Sequence, residues 1–287
     1  MVQSGALIVV TGATGQQGGA VARELLAAGH RVRAVTRKPT GEPARALAAL
    51  GAEVVTGNLD DAASLRRVFE GAWGVFAVQN TWEAGVEQEE VQGKRTAEVA
   101  AKAGIRHFVY TSVGSAHRKT GIPHFDNKAR VEETVRSVGF ASWVILRPAF
   151  FMENFLGGWF KPGIDNGQLA VGMKPATPLQ MIAVRDIGKY GKVAFERAEQ
   201  LKGRAIDISG DNITMPEVAR ILSQVTGRTI THVQVPIAEV RKASEDFALM
   251  LEWFDRVGYN ADIAGTAKEF GIAPTKFADW AKSVSWK

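Results

Sequence analysis

Ala6-Leu7-Ile8-Val9-Val10-Thr11-Gly12-Ala13-Thr14-Gly15-Gln16-Gln17-Gly18 joins an apolar run to three glycines spaced G-x-x-G-x-x-G, and Val21, Leu25 and Leu26 then recur at helical spacing. A short apolar run of this kind reads as a strand buried on both faces, and the periodicity after it as the core stripe of a helix over Gly18 to Ala28. Each glycine has its own use at such a junction. Gly12 permits the tight turn, Gly15 lets backbone approach a pyrophosphate, and Gly18 lets the helix pack closely on the strand. The helix start then aims free N–H groups and its positive dipole end at phosphate. Gly12, Thr14, Gly15, Gln16, Gln17 and Gly18 are therefore candidate contacts for a dinucleotide. The glycines alone would also suit an empty turn, and it is the flanking strand and helix that supply the required context.

Downstream the same alternation continues. Arg31 to Thr36, Ala52 to Thr56, Gly74 to Val78, His107 to Thr111 and Trp143 to Leu146 read as strands. Helices are expected over Pro43 to Leu50, Ala62 to Glu70, Gly85 to Ala103 and Asp126 to Ser137, with Asp60 or Asp61 capping the second of these. Strands and helices in strict alternation build a parallel sheet from right-handed βαβ units. The fold class is α/β, a doubly wound Rossmann sheet of order 3-2-1-4-5-6 with its ligand between strands one and four. Beyond Pro148 the regularity weakens, and Phe155 to Pro178 reads as loops and short elements over the cleft. Helices resume near Ala183 to Arg197 and Met215 to Val225. The tail from Ala243 to Lys287 carries Trp253, Phe254, Phe270, Phe277 and Trp280 and should pack onto the body.

The end of strand two selects the cofactor. An acid there would bond the ribose hydroxyls and repel a 2′-phosphate. This chain has Arg37-Lys38, and the next acid is Glu42. A guanidinium grips phosphate bidentately and a lysine adds point charge, so NADP(H) is expected over NAD(H). Two ordinary surface cations are the bland alternative. Asn58 and Asp60 follow strand three, where adenine lies in this architecture, and Asp60 can also serve as a helix cap.

Composition narrows the remaining classes. The 287 residues contain no cysteine, which excludes disulfides, thiol nucleophiles and cysteine-based zinc sites and fits a reducing, cytoplasmic location. His30, His107, His117 and His232 show no metal-ligand spacing, so no metal is expected. The formal charge of +5 is spread among acids with no long basic run, which argues against nucleic acid as partner. No apolar stretch is long enough to span a bilayer, and Met1 to Val10 lacks the basic start and cleavage site of a signal peptide.

Several stretches coincide with one family. Thr11 to Gly19, Phe76-Ala77-Val78-Gln79-Asn80-Thr81-Trp82-Glu83, His124-Phe125-Asp126-Asn127-Lys128, Arg147-Pro148-Ala149-Phe150-Phe151-Met152-Glu153-Asn154 and Phe277-Ala278-Asp279-Trp280 together resemble the NmrA-like family of atypical short-chain dehydrogenase/reductase proteins, with its redox-sensor type near at hand. The resemblance implies an NADP(H)-binding domain over residues 1–150 and a smaller α/β lobe over 151–287 that does not fold alone. It adds Gln79, Asn80 and Phe151 to the expected cofactor contacts. It also implies a mixed functional picture, since some relatives reduce quinones or dyes and others bind dinucleotide and a protein partner.

Typical short-chain dehydrogenases use Tyr-x-x-x-Lys, in which the lysine holds the nicotinamide ribose and lowers the tyrosine pKa. Lys128 stands in place, but the residue four before it is His124. His124 is a candidate general acid, or a residue that only shapes the pocket. Ser112 at the end of strand five reads as pocket lining, and Phe150, Phe151 and Trp82 as either an apolar ceiling or core. The missing tyrosine favours an NADP(H)-responsive sensor or binding protein. The alternative is an NADPH-dependent reductase of a quinone-like or conjugated small molecule.

Overall fold

Ile8, Val9 and Val10 are fully buried, and β1 (Leu7–Val10) runs through the middle of the molecule. The computed structural model describes residues 5–286; Met1 to Ser4 and Lys287, parts of the first strand reading and of the tail, lie outside the described residues. From β1 the chain alternates through α1 (Gln16–Ala27), β2 (Arg31–Thr36), α2 (Glu42–Ala49), β3 (Glu53–Thr56), α3 (Ala62–Phe69) and β4 (Gly74–Ala77). It continues through α4 (Thr81–Ala84), α5 (Val86–Lys102), β5 (His107–Thr111), α6 (Pro123–Ser137) and β6 (Ser142–Pro148). These strands pair in parallel in the expected order 3-2-1-4-5-6, so the loop after β1 lies at the point where the winding reverses.

Three boundaries differ from the sequence reading in ways that matter. α1 begins at Gln16, two residues early, because the loop turns at Gly15. A short α4 that the sequence reading lacks precedes Gly85, and α5 begins at Val86, close to the expected start. α6 begins at Pro123, since proline suits the first helical position, and this places His124 and Lys128 one turn apart on a single helix.

The second half is more regular than its punctuation suggests. It holds β7 (Phe150–Phe151), α7 (Lys161–Asp165), β8 (Gln168–Val171) and β9 (Pro178–Ile182). Then come α8 (Val184–Glu196), α9 (Ala198–Leu201), β10 (Arg204–Ile208), β11 (Asp211–Thr214), α10 (Met215–Thr226) and β12 (Thr231–Gln234). The tail forms α11 (Ile237–Ala243), α12 (Glu245–Arg256), α13 (Ile263–Phe270) and α14 (Phe277–Ser283). β10 returns to the main sheet beside β6 as a seventh parallel strand, which the sequence reading lacks. β11, β9 and β7 form one small sheet, and β12 and β8 another.

Two layers of apolar side chains sandwich the main sheet. One face holds α1 and α8, where glycine allows close approach: a Cβ at Gly188 would meet the Ala20 backbone at 2.9 Å, and one at Gly191 would meet Val21 at 2.6 Å. The other face holds α3, α5 and α6. A third core fills the second lobe and includes Trp253, Phe254, Phe277 and Trp280, as expected of the tail, and Phe270 packs in the first. Phe150 also belongs to the third core, against Phe155, Phe160 and Phe254, which is the core alternative of its sequence reading.

Candidate active site

The loop after β1 has the shape of an anion cradle. Gly12 has φ +56°, in the left-handed region that favours glycine. A Cβ at Gly18 would lie 2.4 Å from the Gly12 carbonyl oxygen and 2.8 Å from that of Thr11, so α1 rests directly on the turn. No side chain caps α1, and its first turn carries no acid, which leaves its N–H groups for an external anion. Around this loop Thr14 Oγ1 pairs with Thr36 Oγ1 at 3.2 Å, and Gln17 Oε1 accepts from Thr111 Oγ1 at 2.7 Å.

At the end of β2, Arg37 reaches across to an ion pair with Glu83 on α4, while Lys38 is exposed without an ion pair among the described residues. Asn58 Oδ1 accepts the backbone N–H of Asp60, and Asp61, not Asp60, caps α3 through Ala63. Asp60 instead accepts the side-chain amides of Gln88 and Gln92, whose bonds hold its carboxyl below the usual range. At the end of β4, Asn80 caps α4 through Trp82. Gln79 is buried with both amide atoms unpartnered among the described residues, while the buried Ser112 hydroxyl at the end of β5 lies by the Glu132 carboxylate and helps hold it below the usual range. Buried polar atoms without partners are rare in native proteins and call for a ligand or water. A bare cradle flanked by an orphaned buried amide fits a dinucleotide.

Lys128 on α6 forms an ion pair with Glu89, a residue of α5 that is 1% exposed. Glu89 Oε2 also accepts from Asn127 Nδ2 at 2.8 Å and from the Thr81 hydroxyl. Burial pushes the Glu89 carboxyl up, and Lys128, Thr81 and Asn127 together outweigh it and hold the group below the usual carboxylate range. Glu89 escaped the sequence reading, although it shares the α5 face of Gly93, Thr96, Ala97 and Ala100, which are all buried.

One turn earlier, His124 Nδ1 bonds to Asp246 of α12, and the His124 backbone N–H donates to the other oxygen of that carboxylate at 3.1 Å. Trp82 covers the ring at 5.3 Å and is itself 60% exposed, so it stands at the rim of the cleft and not in the core. Phe151 is half-buried at the end of β7. None of the three tyrosines stands four residues before Lys128: Tyr110 is enclosed, its hydroxyl pushed well up by burial and by Glu89, Tyr190 is raised to about 12 by burial, and Tyr259 packs against Phe125 and Trp253 with its hydroxyl pushed up by burial. Among the described residues no group of three or more histidines and acids is placed to hold a metal, and no helix is long and apolar enough to cross a membrane.

The description of the NmrA-like family matches residues 4–282. The chain belongs to the NmrA-like family. A relative from Streptomyces griseus, a (4-alkanoyl-5-oxo-2,5-dihydrofuran-3-yl)methyl phosphate reductase, is 31% identical to this NmrA-like chain over 96% of each sequence. In structure the chain is similar to NmrA, a negative transcriptional regulator solved in complex with NADP, with a TM-score of 0.83, 23% identity, and 98% and 96% of the two chains covered. It is also similar to an NADPH-dependent quinone oxidoreductase from Escherichia coli complexed with NADPH, with a TM-score of 0.82, 22% identity, and 96% and 99% covered. At these identities the two structures establish the shared fold.

Proposed function

We propose that this NmrA-like chain is an NADPH-dependent reductase of a conjugated, quinone-like small molecule. The observation that carries the reading is the arrangement on α6: Lys128 is anchored by buried Glu89, and one turn away, beneath exposed Trp82, His124 Nε2 makes no hydrogen bond among the described residues. The named activities of the Streptomyces griseus and Escherichia coli proteins support it, since a dihydrofuranone and a quinone are both conjugated acceptors. The NADP bound to NmrA and the NADPH bound to the quinone oxidoreductase support the cofactor.

In this reading Gly12 to Gly18 hold the pyrophosphate, and Arg37 and Lys38 hold the 2′-phosphate. Asn58 and Asp60 lie on the adenine side, Lys128 bonds the nicotinamide ribose, and Gln79, Asn80 and Phe151 border the nicotinamide. When bound, NADPH supplies a hydride. His124 donates a proton from Nε2 to the reduced acceptor, and Trp82 offers a flat face for it. Residues 1–150 carry the cofactor and 151–287 the acceptor side. The second part depends on the first for folding, because β10 and α8 are built onto the first sheet. A cysteine-free enzyme drawing on NADPH suits the cytoplasm.

The sensor reading keeps one observation in its favour, the absence of a tyrosine within the pattern around Lys128. An NADPH-oxidation screen over quinones and conjugated enones separates the two. Turnover that falls on the order of 100-fold in His124→Phe and Lys128→Ala is expected. Calorimetric binding of NADPH with no oxidation by any acceptor would leave the sensor reading.

A further inference from the structure

We propose that Asp246, from the second lobe, is a positioning residue that selects the tautomer of His124 and so presents Nε2 to the acceptor; this rests on the reductase reading. The two carboxylate oxygens of Asp246 do different work. One takes the His124 ring at Nδ1, and the other takes the His124 backbone N–H at 3.1 Å. That N–H belongs to the first turn of α6, where no side chain of the helix's own N-cap serves it. Asp246 therefore bridges two helix starts, its own in α12 and that of α6, and locks the imidazole to the backbone that carries it.

The consequence for the ring follows from which atoms can donate. A carboxylate only accepts, so Nδ1 must carry a hydrogen, and the remaining nitrogen is Nε2. The ring is otherwise faced by Trp82 from α4 and Phe125 from its own helix, both uncharged. Lys128, the next cation along α6, is engaged by Glu89. In the reaction the acceptor takes a hydride from NADPH, which becomes NADP+, and a proton from Nε2 of the imidazolium. The imidazole left behind is neutral with its hydrogen on Nδ1, the form that Asp246 stabilises. Water returns the proton to Nε2. The second lobe thus contributes a part of the proton-transfer apparatus that the cofactor domain lacks.

Asp246→Asn tests the proposal because the geometry predicts its outcome. The His124 backbone N–H claims the one remaining oxygen, so the asparagine NH2 must face Nδ1 and donate to it, which forces the hydrogen to Nε2. Nitrogen NMR of the imidazole in the cofactor-free protein should show neutral His124 with its hydrogen on Nδ1 in the wild type and on Nε2 in Asp246→Asn. With an active acceptor, kcat should fall on the order of 100-fold while KM for NADPH stays within about twofold. Wild-type His124 carrying its hydrogen on Nε2 would overturn the proposal, and this measurement stands even where the variant fails to fold. So would an Asp246→Asn protein that turns over at the wild-type rate, or one that loses thermal stability and kcat with the tautomer unchanged, which is the signature of a helix cap alone. Absence of turnover in the wild type sinks the reductase reading, and the tautomer measurement then decides the orientation of His124 by itself.

Discussion

Glu89→Gln should destabilise the protein by about 3 kcal/mol, because no pose of the new side chain satisfies its neighbours. Glu89 Oε1 takes the Lys128 ammonium, and Oε2 takes the Thr81 hydroxyl and the Asn127 amide. Glutamine has one oxygen. Turned toward Thr81 and Asn127, it points its NH2 at the ammonium; turned toward Lys128, it points NH2 at the Asn127 amide. Removing one partner from a buried pair costs roughly 3–5 kcal/mol, and the lower end applies because water still reaches the Lys128 side chain, which is 12% exposed. For a chain of this size that is a fall in Tm on the order of 5–10 °C. The assay is urea unfolding of Glu89→Gln, Lys128→Met and the double variant at neutral pH. Lys128→Met removes the stranded charge, so the double variant should recover about 1–2 kcal/mol relative to the sum of the singles. Losses that simply add, or a single-variant loss below about 1 kcal/mol, would refute the claim that the pair is one coupled buried unit. The acid limb adds a check. Glu89 sits below its ordinary 4.5, so its contribution is full above that pH and is lost as pH falls through the lowered value, a loss that Glu89→Gln should not show.

Arg37→Asp should weaken NADP(H) binding far more than NAD(H) binding by calorimetry, and equal losses would remove the 2′-phosphate role from Arg37. Because Glu83 holds Arg37 in the cofactor-free protein, Glu83→Gln should tighten NADP(H) by up to about fivefold, the worth of an exposed ion pair; unchanged or weaker binding contradicts that competition. Gly18→Ala drives a Cβ to 2.4 Å from the Gly12 carbonyl oxygen, and dinucleotide affinity should drop on the order of tenfold or more as the loop shifts by about 1–3 kcal/mol of strain; wild-type affinity would separate the loop from binding. His107 is buried and bonded to Ser142 and Ala194, and burial lowers its pKa from 6.5 to about 4. The unfolded chain therefore gains the proton first as pH falls, so stability should decline between pH 6.5 and about 4 by an amount on the order of 3 kcal/mol. His107→Gln should flatten that window, and an unchanged slope between the two proteins would count against it.

The first half of the fold was legible because local rules and tertiary demands coincide there. A strand buried on both faces favours an apolar run, as in β1 and β4, and β5 keeps Phe108, Val109 and Tyr110 between its buried polar ends His107 and Thr111. The second half hid its strands for the opposite reason. Arg204-Ala205-Ile206-Asp207-Ile208 carries two charges because β10 is an edge strand, where Arg204 meets Glu269 and Asp207 meets Arg147, so its pattern is that of a surface segment. Phe150 and Trp82 shared one open reading and parted in the structure, Phe150 into the core and Trp82 to the surface, because an aromatic in the sequence does not state what it will pack against.

The sequence by itself determined the βα alternation, the sheet order, the glycine cradle, the cations after β2 and the placement of His124 four residues before Lys128. All but the sheet order are set within one element or one turn, where spacing alone fixes geometry, and the order of the first six strands follows from the handedness of βαβ units and the place of the glycine loop. Only the tertiary structure decided what those residues face. Glu89 comes to Lys128 from a neighbouring helix, Glu83 crosses to Arg37, and Asp246 reaches His124 across 122 positions. The first two pairings depend on how α4, α5 and α6 pack beside the sheet and the third on how α12 folds back onto α6, and no local periodicity encodes a contact between residues so far apart along the chain.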